Sequence, residues 1–141
     1  MEMDQVYTEL ILEHNQDKRN KRLLEVFTAS EHGHNPSCGD DLTLQVNVVD
    51  GIVKDAAYTG SGCAISQASA SMMIDVITGK SLEEAFQLVD LFLGTIKKEV
   101  TDEDELEALE DAIALQNISN MPARVKCAVL AWHTLREALK K

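Results

Sequence analysis

The chain has 141 residues and a formal net charge of −11, with 45% hydrophobic, 26% charged and only 4% aromatic residues. That length suits one domain able to bury a core of aliphatic side chains without staples, so a single domain over 1–141 is expected. The acidity argues against nucleic acid and anionic membrane surfaces, which select basic stripes, and no apolar run approaches the ~18 residues of a membrane span.

In chain order, Met1-Glu2-Met3-Asp4 is acidic and lacks the apolar region of a signal peptide. Val6, Leu10 and Ile11 at helical spacing predict a short amphipathic helix over 4–14. Residues 15–22 are polar and basic and read as a connector. Its cluster Lys18-Arg19-Asn20-Lys21-Arg22 is read as a solvated helix end favoured by the macrodipole, rather than as a dock for an acidic partner. Leu23 to Ala29 is the expected first strand. His32 to Asp40 is dense in turn formers and is expected to be loop.

Leu42 to Val48 alternates apolar and polar residues, as a half-buried strand should. Asp50-Gly51 supplies the φ > 0 positions of a type I′ hairpin turn, and Ile52 to Tyr58 returns as the partner strand. Gly60-Ser61-Gly62 ends it, and Cys63 falls at the start of the next element. The remainder is helical in pattern. Ala64 to Thr78 stops at Gly79, and its Ala64, Ala68, Ser69 and Ala70 allow close backbone approach. Ser81-Leu82-Glu83-Glu84 is a capping box opening a helix with Leu82, Ala85, Phe86, Val89, Leu93 and Ile96 on one face.

Thr101-Asp102-Glu103-Asp104 opens a short acidic helix. The eight acidic residues from Glu99 to Asp111 are read as its solvated face rather than as a docking surface. Pro122 lies in the first turn of the last helix, whose buried stripe is Val125, Ala128, Val129, Trp132, Leu135 and Leu139. The expected fold is α+β, a small antiparallel sheet of about three strands packed against a layer of helices.

Three cysteines, Cys38, Cys63 and Cys127, lie far apart with no local CxxC pair. Their odd number and the absence of an export signal fit no disulfide framework and point to a reducing cytoplasm, where such thiols bind metal or do chemistry. The loop before an antiparallel hairpin and the loop after it lie at one end, so Cys38 and Cys63 meet there. Cys127 joins them if the last helix starts at that end, and Asp40, two residues past Cys38, turns back to the same point. Each cysteine has a plainer reading as a small buried hydrophobe, strongest for Cys127 on its apolar stripe. It is weakest for Cys38, between Ser37 and Gly39-Asp40-Asp41. Three thiolates and a carboxylate suit tetrahedral zinc and equally an iron–sulfur cluster with one oxygen ligand. Spacing does not choose between them.

Asn35-Pro36-Ser37-Cys38-Gly39-Asp40, Gly60-Ser61-Gly62-Cys63-Ala64-Ile65-Ser66, Ala68-Ser69-Ala70-Ser71-Met72-Met73 and Pro122-Ala123-Arg124-Val125-Lys126-Cys127 with Leu130-Ala131-Trp132 resemble the U-type iron–sulfur assembly proteins. The likeness runs from about residue 5 to residue 139 and is nearest the SufU branch. Lys126 stands where the scaffold branch, IscU, has a histidine, and the stretch from about Val100 to Asn117 is extra relative to that branch.

The resemblance implies a zinc-bound sulfur acceptor working with a SufS-type cysteine desulfurase and supplying downstream iron–sulfur assembly machinery. It makes Cys38, Asp40, Cys63 and Cys127 the zinc ligands, Cys38 the sulfur acceptor, and Arg124 a guanidinium beside the site. The alternative is a scaffold building a [2Fe–2S] cluster on the same ligands. A purely structural zinc domain fits poorly with a carboxylate ligand.

Other residues are read more plainly. Asp17-Lys18-Arg19-Asn20 lacks the proline common in the family's equivalent segment. His32 and His34, four to six residues before Cys38, match no ligand position of the family and are read as solvated loop residues. His14 and His133 are read as helix-surface or semi-buried, Ser66, Ser69 and Ser71 as packing residues, and Trp132 as core.

Overall fold

A computed structural model describes residues 3–16, 19–36, 39–97, 103–120 and 122–140. Helix α1 (Met3–Gln16) precedes three strands, β1 (Ala29–Asn35), β2 (Asp40–Val49) and β3 (Ile52–Ser61). Helices α2 (Ala64–Ile77), α3 (Leu82–Ile96) and α4 (Glu103–Leu106) follow, then a 3₁₀ segment (Glu107–Asn120) and α5 (Pro122–Leu139). The sheet is antiparallel in the order β1-β2-β3, so the expected α+β architecture is the one observed.

The β2–β3 hairpin turns as its sequence dictates, with Asp50 at φ 54° and Gly51 at φ 75°, the left-handed pair a type I′ turn needs. Along β2 the alternation is strict: Leu42, Leu44 and Val46 are fully buried while Asp41 faces solvent. That face packs under α5 and the sheet also meets α2 through β3. Helix α2 is buried on nearly every side, between α1, α5 and the 3₁₀ segment, which is why it is small or apolar nearly all round. Ser81 caps α3 as expected, its Oγ accepting from Glu84 N–H at 3.1 Å.

The first strand lies later than the sequence suggests. Leu23–Thr28 is irregular, with Leu23, Val26 and Phe27 exposed and only Leu24 buried. A run of neighbouring apolar residues cannot place every side chain inward, and a single core slot accepts Leu24. Thr28 then leads into the sheet, its N–H donating to Val46 O at 2.8 Å. Strand β1 occupies His32–Asn35, where loop was expected, and pairs Asn35 with Asp40 and Gly33 with Leu42. Its alternation is disguised because the inward position is a glycine. Gly33 lies so close to α5 that a Cβ there would sit 2.1 Å from Thr134 Oγ1.

The basic connector is solvated at its arginines, as expected, and is also tied to the fold: Arg19 pairs with Asp75 at 2.6 Å and Arg22 with Asp55 at 2.8 Å, while Lys21 donates to Gln67 Oε1 at 2.7 Å. Lys18 lies outside the described residues. His14 is buried, not superficial. Its Nδ1 lies 2.8 Å from Ser71 Oγ and its Nε2 3.2 Å from Asp111 Oδ2, tying α1 to α2 and to the 3₁₀ segment.

The acidic stretch is a solvated face where it is described, with Asp104, Glu105, Glu107, Glu110 and Asp111 exposed. Its Thr101-Asp102 start lies outside the described residues. Leu106, Leu109, Ala112 and Leu115 are buried beneath that face, and Glu110 at φ 52° and ψ −129° breaks the 3₁₀ segment into two helical pieces. Trp132 is fully buried and stacks on Phe92 at 4.1 Å between centroids. Its Nε1 donates to Ser69 Oγ at 2.9 Å, and that hydroxyl donates to Ala128 O at 2.6 Å.

Candidate metal centre

The sheet's register assembles the site. Asp41 pairs with Ser61 across the hairpin and Asp40 pairs with Asn35 on the other side. The start of β2 and the end of β3 therefore share one end of the sheet. Asp40 is in phase with Leu42, Leu44 and Val46, so the strand's own period of two turns its carboxylate inward; it is fully buried.

Cys63 follows β3 directly and caps α2. Its φ of −69° and ψ of 166° are those of an N-cap, and its Sγ accepts from Ser66 N–H at 3.4 Å. The unpaired N–H groups and positive dipole end of a helix favour a thiolate there. Cys127, one turn into α5, is buried. One carboxylate oxygen of Asp40 and the sulfurs of Cys63 and Cys127 all lie within 4.8 Å of one another.

The carboxylate is held on one side only. Asp40 Oδ1 accepts from Cys63 N–H at 2.9 Å and from Ser66 Oγ at 3.0 Å, whereas the buried Oδ2 has no hydrogen-bond partner among the described residues. Gly62 keeps this corner open, since a Cβ on it would stand 2.5 Å from Ser66 Oγ and 2.7 Å from Asp40 Oδ1. A buried carboxylate with a bare oxygen is costly unless something cationic meets it. Two sulfurs beside it exclude hard cations, which take oxygen sets, and match zinc or an iron–sulfur cluster. Tetrahedral zinc, with Zn–S bonds of about 2.3 Å, places its sulfurs ~3.8 Å apart, so the donors present fit that ion.

Of the residues singled out in the sequence, the structure brings Asp40, Cys63 and Cys127 together. Cys38 lies outside the described residues. Arg124 is exposed on α5 and ion-paired with none of the described residues; Lys126 is exposed as well. His32 and His34 face outward from β1, away from the centre. Ser66 is more than the packing residue its sequence suggests, because it orients Asp40. Its position three residues after an N-cap cysteine was the available signal.

A NifU-like N-terminal domain model matches residues 6–141. The chain is 46% identical to an iron–sulfur cluster assembly scaffold protein IscU of Thermotoga maritima, over 96% of this chain and 94% of the relative. It is 39% identical to the zinc-dependent sulfurtransferase SufU of Bacillus subtilis, over 99% of this chain and 92% of the relative. A crystal structure from Fervidobacterium islandicum, described as an iron–sulfur cluster assembly scaffold protein for the SUF system, superposes with a TM-score of 0.87 at 35% identity. That superposition covers 96% of this chain and 97% of the other. With a family model spanning nearly the whole chain and these two relatives on either side, the chain belongs to the NifU-like N-terminal domain family of U-type iron–sulfur assembly proteins.

Proposed function

We propose that this chain is an iron–sulfur cluster assembly protein that holds zinc at one end of its sheet and accepts sulfur on Cys38 from a SufS-type cysteine desulfurase. The observation carrying the reading is the buried Asp40 carboxylate, with one oxygen unpartnered, beside the Cys63 and Cys127 sulfurs. Asp40, Cys63 and Cys127 would hold the ion and Cys38 would complete the set. Zinc bound there keeps its thiolates deprotonated at neutral pH. The likeness to a zinc-dependent sulfurtransferase over nearly the whole chain supports the same assignment.

The chain's own part in the transfer is an exchange at Cys38 Sγ. The thiolate attacks the outer sulfur of the desulfurase persulfide. One S–S bond forms at Cys38, the S–S bond of the donor breaks, and the desulfurase keeps its thiolate, with no net oxidation. The exposed Arg124, three residues before Cys127 on α5, shares that residue's side of the helix and offsets the negative charge of the thiolates. A second exchange of the same kind passes the sulfur to the assembly machinery. The cytoplasm, with its reducing poise, is the compartment where such thiols persist.

A second reading, a scaffold on which a [2Fe–2S] cluster is built as cargo, is favoured by the 46% identity to a protein named as a scaffold. Metal analysis with a visible spectrum on anaerobically purified protein separates the two. About one zinc per chain and no colour is expected from the four-ligand set. A brown protein with matched iron and labile sulfide would make the chain a scaffold.

A further inference from the structure

The end of the sheet that carries the buried centre has a second group of metal-ligating side chains on its opposite face. His32 and His34 lie two residues apart on β1, both exposed, with ring centroids 6.3 Å apart and planes 16° from parallel. Asp41 stands directly across from His34 in the β1–β2 register, and its Oδ1 lies 2.5 Å from His32 Nε2. Asn35 and Asp40, the next pair along, point inward. The two clusters are therefore separated by the sheet itself.

Residues i and i+2 of a strand share a face at about 6.6 Å separation along the chain. Two imidazoles so placed converge on one ion at about 2.0–2.1 Å per nitrogen after rotation about their side-chain torsions. Solvent gives both rings room to turn: the His32 and Asp41 side chains are 56% and 57% exposed, and His34 is exposed as well. The carboxylate already on His32 Nε2 serves either as a third ligand or as the acceptor that fixes the ring's tautomer. Two imidazoles and one carboxylate with open positions suit divalent first-row transition ions, not calcium or magnesium.

We propose that His32, His34 and Asp41 form a second, solvent-exposed binding site for a divalent first-row transition ion. It takes that ion weakly and exchangeably, in contrast to the buried centre on the other face of the same hairpin. The inference does not depend on what occupies that centre.

The test is calorimetric titration of zinc-loaded protein with further zinc at neutral pH, with the histidine ring signals followed by NMR. One additional equivalent per chain is expected, and it shifts the His32 and His34 rings. His32→Gln and His34→Gln should each weaken that equivalent at least about tenfold. His133→Gln, at the other described exposed histidine off this strand, should leave it intact. All three positions are exposed, so the variants should melt with the parent. Absence of the additional equivalent in the parent overturns the proposal, as does its survival in the His32→Gln/His34→Gln double variant. Half an equivalent accompanied by a dimer also overturns it, because the ion would then bridge two chains.

Discussion

Replacing Gly33 by alanine tests how the sheet and α5 fit together, and through them how Cys127 reaches Asp40. The new Cβ would meet Thr134 Oγ1 at 2.1 Å, Thr134 Cβ at 3.2 Å and Leu130 Cδ1 at 3.3 Å. The first contact is impossible without movement. The Thr134 hydroxyl donates to Leu130 O at 2.8 Å, so turning it aside gives up that bond. Overpacking of this kind costs about 1–3 kcal/mol, partly offset by about 0.4–1 kcal/mol from the reduced freedom of the unfolded chain. Thr134→Ala alone should cost about 1 kcal/mol. Together the two should cost less than their sum by about 1 kcal/mol or more, because the added methyl fills the space the threonine leaves. Urea unfolding with a constant m-value gives the cycle. Additivity within about 0.5 kcal/mol would refute the close contact, and with it the placement of β1 at Ala29–Asn35. Gly33→Ala should also weaken zinc binding, since it displaces the helix that carries Cys127.

The other predictions are more local. Ser66→Ala removes the 3.0 Å hydrogen bond that orients Asp40 and should lower zinc affinity about 10–100-fold in chelator competition; unchanged affinity would remove Asp40 from the ligand set. Stripping zinc should leave the far-ultraviolet helix signal in place while lowering the melting temperature, since an ion at a thousand times its Kd adds about 4 kcal/mol. Complete unfolding on chelation would contradict that. Burial pushes the Tyr58 phenol from 10.0 up to about 12. Above pH 10 the unfolded chain loses that proton first, so this group's contribution to stability is intact below pH 10 and lost as pH rises toward 12. Tyr58→Phe should flatten that decline, and an unchanged slope would place the phenol in water.

Most of the site was legible in the sequence because strand periodicity and antiparallel pairing constrain where loops meet. The alternation from Leu42 to Val46 already encodes an inward Asp40, two residues earlier in phase. The Asp50-Gly51 turn brings Cys63 back to the same end. What was illegible depended on contacts between distant segments. Strand β1 carries Glu, His, Gly, His and Asn, and only the approach of Thr134 across the fold explains why its inward residue is glycine. Leu23, Val26 and Phe27 carry a strand's composition but find no neighbouring strand or core slot. His14 reads as helix-surface or semi-buried by sequence, yet it is buried because Ser71 and Asp111 supply both its ring nitrogens with partners from elements far along the chain.

The central claim is that Cys38 accepts sulfur, and persulfide transfer tests it most directly. Zinc-loaded protein would be incubated with a SufS-type cysteine desulfurase and cysteine, then digested and analysed by mass spectrometry without reductant. The account predicts one added sulfur on the Cys38 peptide, faster desulfurase turnover in its presence, and loss of both in Cys38→Ser. Undiminished acceleration by Cys38→Ser, or sulfur appearing elsewhere on the chain, would contradict it.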